Sequence, residues 1–399
     1  MKFIDLFSGV GGFTRGMELA GHKCIGHCEF DKFAEASYRS MHTITEEQRE
    51  YLLTLPLKQR QKEILKNEYL NGEWYAQDIR TIRAANMPVA DCWTFGAPCQ
   101  DFSIAGKRAG LKGDRSSLVR EIFRILEKTE ENRPEWLIYE NVKGVLSSNR
   151  GLDFLSILSE MDRLGYDAEW QIVNSRWWVP QNRERVYVIA HLRTRRARKI
   201  FPVSGNGGAN NFKLVGGGGI AQHIGYAVDK SKNNPRKIDI ANCISARGDR
   251  GISNRRAEGT AIAIPVLTPF RQEKRQNGRR CKENNEEMFT LTSQDEHGVA
   301  IDIKALSSST RGQPFRRGYA ATLDHNCNQA VIAEKAVWSE KYNCYLAIRK
   351  LTPKECFKLQ GWSDDYFEKA KFVNSDSQLY KQAGNGVTVN VIKHIAERM

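Results

Sequence analysis

The chain has 399 residues, enough to bury a large core and divide into two domains. Hydrophobic residues make up 40% of it, but no apolar run approaches the roughly 18 residues of a membrane-spanning helix. The net charge is +14, and the segment 193–348 carries +12 of it, with 26 Lys and Arg against 14 Asp and Glu. A localised basic excess of this kind reads as a footprint for a polyanion. The N-terminal Met1-Lys2-Phe3-Ile4-Asp5 enters a strand at once, unlike a signal peptide. Nine cysteines with no CxxC pair suit a reducing compartment. Cys24 and Cys28 lie four apart without a second pair of ligand spacing, so no metal site is expected.

The elements follow in order. Phe3–Phe7 predicts a short strand, SGVGG a turn, and Phe13–Ala20 a helix. His22–Cys28 predicts a second strand, followed by a helix through Phe33–Met41. Residues 43–72 are charged, lack strand alternation and read as an inserted helical hairpin. Val89–Ala97 is an apolar run read as a buried strand, which leaves Cys99 just beyond its carboxyl end. A helix over Ser116–Glu131, a strand over Trp136–Tyr139 and a helix over Leu152–Leu164 come next, then a hairpin through Glu169–Val173 and Val186–His191. Strands alternating with helices predict an α/β fold with a doubly wound, mostly parallel sheet.

The character changes after His191. Arg193–Lys199 is basic, and Gly205–Gly219 is rich in Gly and Asn. Hairpin-like pieces then recur loosely at Ala241–Ile252, Met288–Ile301 and Tyr319–Ile332. They predict a second, smaller, loop-rich β domain over 193–348. Residues 349–399 return to helical patterning, with Thr352-Pro353 as a helix start, and are expected to rejoin 1–192 as one domain.

Chemistry-bearing residues cluster at predicted strand ends, where open α/β sheets place their sites. Cys99 sits between Pro98 and Gln100, and a thiolate is a strong nucleophile needing modest activation. An isolated cysteine after a strand is more often a small buried hydrophobe. Other features favour the functional reading here. DLFSGVGGF at 5–13 is a strand running into a glycine-rich turn and a helix, suited to close backbone approach to a ligand. Its spacing is not the dinucleotide GxGxxG. Glu29 ends the second strand, where an acid would hold ribose hydroxyls, and Asp78-Ile79 could read an adenine amine and face. Glu140-Asn141 follows the strand Trp136–Tyr139, and QNRER at 181–185 supplies Arg183 and Arg185.

These motifs, with RKLTPKECFKLQGW at 349–362 and QAGNGVTVNVI at 382–392, resemble the cytosine-5 DNA methyltransferases of bacteria and phages. The resemblance covers 1–192 and 349–399. It implies a Rossmann-like methyltransferase domain using S-adenosylmethionine, without a metal. It implies that Cys99 adds to carbon 6 of a cytosine and that Glu140 contacts ring nitrogen 3 and the exocyclic amine. Arg183 and Arg185 would hold the base carbonyl and support the cysteine geometry. Phe7, Gly9, Val10, Gly12, Glu29, Phe30, Asp78, Ile79, Pro98, Leu118, Asn385 and Val387 match positions lining the donor site, with Phe30 stacking on adenine. Ala97 and Gly386 depart from commoner family residues without removing a reacting group.

The segment 101–118 is polar and glycine-rich and reads as a lid, with Lys107, Arg108 and Arg115 placed to meet phosphates. The target carbon is hidden in a stacked duplex, so the base must be extruded. By place and size, 193–348 resembles the variable target-recognition domain, and Arg255, Arg256, Arg316 and Arg317 are its candidate DNA contacts. The partner expected is double-stranded DNA, with a monomeric enzyme in a bacterial or phage-infected cytoplasm, in restriction-modification or phage self-protection. A cognate restriction endonuclease would act beside it without stable contact. A tRNA cytosine-5 methyltransferase built on the same motifs is the alternative, disfavoured by the long basic insertion. A non-catalytic DNA-binding regulator is disfavoured by the presence of Cys99, Glu140 and Arg185. A nicotinamide oxidoreductase is disfavoured by the glycine spacing and by having no use for Cys99.

Overall fold

A computed structural model of the chain describes residues 1–97, 118–194, 199–204, 228–229, 236–237, 263–267, 281, 286–292, 297–302, 336–339 and 344–399. They fall into two units. The first comprises Met1–Val179, Arg183–Asn206 and Cys356–Met399, and the second Pro180–Asn182 and Gly207–Glu355.

The first unit is built on a seven-stranded sheet. Its strands are β1 (Lys2–Leu6), β2 (Lys23–Cys28), β3 (Trp74–Ala76), β4 (Cys92–Phe95), β5 (Trp136–Val142), β6 (Tyr166–Asn174) and β7 (Glu184–Leu192). The spatial order is β3-β2-β1-β4-β5-β7-β6. Strands β1 to β5 run parallel, while β7 is antiparallel to both β5 and β6. The order reverses beside β1, between β2 and β4, and the strand ends there form the crevice in which such sheets bind ligands.

Alternating residues send side chains to opposite faces and make two cores. One face contributes Ile4, Leu6, Trp93, Phe95, Leu137, Tyr139, Val186 and Val188. They pack with Ile122, Phe123 and Leu126 of α5 (Leu118–Lys128) and Phe154, Ile157 and Met161 of α6 (Leu152–Arg163). The other face contributes Phe3, Cys92, Trp136, Ile138, Tyr187 and Ile189. These pack with Phe13 and Met17 of α1 (Gly12–Leu19) and with the C-terminal helix Val389–Ala396. Helices therefore cover both faces, as a doubly wound sheet requires.

The insertion after α2 (Lys32–His42) forms α3 (Glu46–Leu53) and α4 (Leu57–Glu63), the expected helical hairpin. Thr45 and Gln48 close a capping box on α3. The C-terminal segment adds α7 (Pro353–Leu359), α8 (Asp364–Lys371), α9 (Asp376–Asn385) and α10 (Val389–Ala396). At the predicted start of α7, the Thr352 hydroxyl accepts from Glu355 N at 3.3 Å and the Glu355 carboxylate accepts from Thr352 N at 2.8 Å.

In the second unit, β8 (Val228–Asp229) pairs with β9 (Arg236–Lys237). The strands β10 (Ala263–Leu267), β11 (His297–Asp302), β12 (Ala336–Ser339) and β13 (Cys344–Lys350) form an antiparallel sheet in the order β10-β11-β13-β12. Among its described residues preceding α7 there is no helix.

Several boundaries differ from the sequence expectation. Strand β4 spans four residues rather than the run 89–97, because Val89 is 62% exposed and apolar content overstated the strand. Glu140 and Asn141 lie inside β5, where pairing with β7 extends the strand to Val142. Residues 349 and 350 end a strand instead of opening the helical segment. The short β3 carried no alternation to read. The segments 241–252 and 319–332 lie outside the described residues, and within 288–301 the strand β11 begins at His297.

Candidate active site

The turn after β1 departs from ordinary backbone at once. Phe7 holds φ 62°, Gly9 φ 57° and Gly11 φ 83°. A non-glycine residue at positive φ is strained, and such strain is typical of ligand-binding turns. A Cβ built on Gly9 would meet no atom within 4 Å, so open space lies over the turn, whereas one on Gly12 would strike Val387 Cγ2 at 2.7 Å. Gly12 therefore lets the segment before α10 close on α1. Val10 is buried, and the buried Ser8 hydroxyl has no hydrogen-bond partner among the described residues. Below the turn, the Asp5 carboxylate accepts from Thr14 Oγ1 at 2.8 Å and Thr94 Oγ1 at 3.0 Å, and burial pushes it up to about 6.

Glu29 follows β2. One of its oxygens accepts from Gly9 N at 2.8 Å and the other from Asp31 N at 2.7 Å, so the acid ties the glycine turn to the start of α2. Burial pushes its pKa up to about 7. Phe30, the next residue, is 65% exposed, an unusual amount for a large apolar ring. Asp78 caps the short turn Ile79–Thr81 and is held by a guanidinium fork from Arg80. That contact keeps its carboxyl below the usual range. Ile79 is buried and Leu118, at the start of α5, is half-buried. Asn385 ends α9 exposed, and Val387 is buried on Gly12.

The acid expected to face the substrate base lies in β5, beside the end of β4. Glu140 Oε1 pairs with Arg185 Nε at 3.1 Å, both groups largely buried. Its Oε2 would lie 3.3 Å from a Cβ at Gly96, so the missing side chain there admits the carboxylate to the end of β4. Cys99 follows Gly96 by three residues. It lies outside the described residues, as do Pro98, Lys107, Arg108, Arg115, Arg255, Arg256, Arg316 and Arg317. Arg183 is buried and donates to Gly386 O at 2.7 Å and Gly384 O at 3.4 Å. It thus holds the backbone around Asn385, while Arg185 alternates from it and meets the acid. Sequence reading grouped the two arginines, and the structure gives them different partners. Ser8 and Arg80 were not singled out by sequence. Ser8 was legible only as part of the glycine turn.

A doubly wound sheet with a glycine turn, an acid after β2 and a carboxylate–guanidinium pair between β5 and β7 is the frame of a Rossmann-like group-transfer enzyme. The model of the C-5 cytosine-specific DNA methylase family matches residues 1–52 and 57–399. The chain belongs to this family, that of the DNA cytosine-5 methyltransferases. It is 28% identical to the orphan methyltransferase M.SPBetaI of Bacillus phage SPbeta, over 100% of this chain and 97% of that protein. It is 26% identical to the orphan methyltransferase M.SPRI of Bacillus phage SPR, with the same coverage. It is also 26% identical to the type II methyltransferase M.HhaI of Haemophilus parahaemolyticus, over 99% and 93%. Among solved structures, the fold resembles the Entamoeba histolytica methyltransferase EhMeth, with TM-score 0.52, 15% identity and coverage of 100% and 97%.

Family membership implies S-adenosylmethionine as methyl donor and DNA as substrate. The residues present fit the donor. Among the described residues, the space over Gly9 is open to a ligand, Phe30 offers an open ring, and the buried Ser8 hydroxyl is left without a partner. Among the described residues no three His, Cys, Asp or Glu side chains gather as a metal site. No described helix is long and apolar enough to cross a membrane.

Proposed function

We propose that this enzyme methylates carbon 5 of a cytosine extruded from a specific duplex DNA sequence, through a covalent adduct to Cys99. The observation that carries the reading is the Glu140–Arg185 pair, held against Gly96 three residues before the cysteine. The Cys99 thiolate adds to carbon 6, and the electron pair displaced from the ring double bond makes carbon 5 nucleophilic. The Glu140 carboxyl lends a proton to ring nitrogen 3, offsets the charge that develops there, and takes the proton back when the adduct breaks. Arg185 holds the carboxyl in place and faces the same ring edge. Bound S-adenosylmethionine supplies the electrophilic methyl group. Loss of the carbon 5 proton to a base then expels the Cys99 thiolate and restores the double bond.

Glu29, Phe30, Asp78, Ile79, Leu118, Asn385 and Val387 line the donor side with the turn 7–12 and Pro98. Arg183 serves that side by fixing the Gly384–Gly386 backbone. Residues 193–348 act as the target-recognition domain, a role supported by their +12 charge and by the antiparallel sheet β10–β13. The enzyme works as a monomer in a bacterial or phage-infected cytoplasm. It protects DNA in a restriction-modification or phage setting, beside any endonuclease and without stable contact to it. Orphan and type II methyltransferases among its relatives favour this setting.

Cys99→Ala tests the mechanism. It is expected to abolish transfer to duplex DNA while retaining S-adenosylhomocysteine binding, and full activity in that variant overturns the adduct. Competition between duplex DNA and tRNA as methyl acceptors separates this reading from an RNA-directed one.

A further inference from the structure

The donor side contains a cation that the reading above does not use. Arg80 is 60% exposed, and its guanidinium carbon stands 6.0 Å from the centre of the Phe30 ring. Its Nε donates to Asp78 Oδ1 at 2.9 Å and Oδ2 at 3.0 Å, and its Nη2 to Oδ2 at 2.6 Å. A fork with both oxygens fixes the guanidinium plane as well as its position. The turn that carries it is itself anchored, since Arg124 Nη2 of α5 donates to Ile79 O at 3.4 Å and Ile82 O at 3.1 Å. Ile79 is only 3% exposed and offers little open surface to a ligand.

We propose that Arg80 is a wall of the adenine site, its guanidinium plane stacking on the purine face opposite Phe30. The inference rests on the donor-site reading given above. Two successive stacking contacts at about 3.5–4.0 Å need a separation of about 7–8 Å. The present 6.0 Å must open by about 1–2 Å, which the 65% exposed Phe30 ring supplies by turning while the fork keeps Arg80 in place. A guanidinium suits the place, because it stacks on π-faces and carries its charge at any working pH. Its fork also sets Asp78 in one orientation, with lone pairs left to accept from the adenine amine. Arg80 is thus a binding residue for the nucleoside part of the donor and has no part in methyl transfer itself.

The test is calorimetric binding of S-adenosylhomocysteine and of 5′-methylthioadenosine to the full chain, with Arg80→Ala, Arg80→Lys and Phe30→Ala. Arg80→Ala is expected to weaken both ligands by a similar factor, about 5- to 30-fold, since both carry the adenine. Arg80→Lys keeps the charge and loses the plane, so it is expected to recover little. The melting temperature without ligand should stay close to wild type, because the side chain is exposed. If Phe30→Ala weakens binding while Arg80→Ala leaves it unchanged or tightens it, the wall is refuted and the donor site stands. Full rescue by Arg80→Lys refutes stacking in favour of charge alone. If neither Phe30→Ala nor Arg80→Ala alters binding, the donor-site reading itself falls.

Discussion

Alkaline pH should destabilise this protein through one histidine. His27 is fully buried at the end of β2, with Nε2 2.9 Å from Glu35 and Nδ1 2.6 Å from Glu73. Tyr38 stacks on its ring at 3.8 Å and Tyr75 lies tilted at 5.1 Å. Arg39 shares the Glu35 carboxylate. Burial alone would lower the imidazole pKa, but the two carboxylates outweigh it and push it up to about 9 from 6.5. The folded pKa is raised, so the stabilisation is fully present below about 6.5 and is lost as pH rises through about 9. A shift of this size at about 1.4 kcal/mol per unit corresponds to roughly 3 kcal/mol, a large part of a typical folding free energy. Burial also pushes the Cys28 and Cys92 thiols up, so each adds a smaller loss above its ordinary value, which His27→Gln would share. The shifted carboxyls act in lower windows. The Glu73 carboxyl lies below its usual value, so its contribution is lost only on acidification. Asp5, raised to about 6, loses stability between its ordinary range and about 6. Urea denaturation at pH 6.5, 8, 9 and 10 measures the effect. Wild type should lose about 3 kcal/mol across that range, and His27→Gln should start lower and show a flatter profile. A wild-type stability unchanged from pH 6.5 to 10, or an equal alkaline loss in His27→Gln, would refute the reasoning.

Glu140→Gln should slow single-turnover methylation by about 100- to 1,000-fold, roughly 3–4 kcal/mol, with a smaller change in DNA affinity; intact chemistry with weakened binding would remove its assigned role. Arg183→Ala deletes charge-assisted bonds to the Gly384 and Gly386 carbonyls, so it should cost about 2–4 kcal/mol of stability and weaken S-adenosylhomocysteine binding. Loss of turnover with donor affinity and stability intact would instead place Arg183 on the base. Replacing Arg255 and Arg256 by Ala should weaken DNA binding and reduce the salt slope by about 0.9 per lost phosphate contact, leaving donor affinity unchanged. Equal slopes in that variant and wild type would show that these arginines meet no phosphate.

The parallel core of the sheet was legible because each long strand is an apolar run closed by a motif. Trp136–Tyr139 shows this best, since all four residues are buried and they alternate between the two cores. The same signal misjudged ends. Val89 has strand composition but no partner strand at its position, and Glu140 is polar but gains one in β7 through Tyr187. Strand ends are set by pairing across the sheet, which a single segment does not encode. The insertion 43–72 was legible as helices but not in its attachment. Arg60 donates to Leu52 O and Leu55 O and, across 312 positions, to Phe372 O at 2.6 Å, while stacking on the Phe372 ring. Nothing local to the insertion marks Phe372 as its partner.

The site divides in the same way. Residues proposed to react or touch ligands must be of particular types, so Glu29, Glu140 and Arg185 stood out by identity and order. Residues that hold those groups in place need only a donor or acceptor at the right point, and many types supply one. Arg183 and Arg185 illustrate the difference two positions apart in one motif. Arg185 meets the acid, while Arg183 donates to two backbone carbonyls some 200 residues away. A carbonyl has no sequence identity, and no reading of QNRER could have found it. On the proposed reading, the donor side and the reacting side are tied to neighbouring residues, Arg183 just before β7 and Arg185 within it. Fixing Gly384–Gly386 from Arg183, the residue just before β7, bears on the start of the strand from which Arg185 reaches Glu140. Loosening the C-terminal segment should therefore be felt in the chemical step as well as in donor affinity.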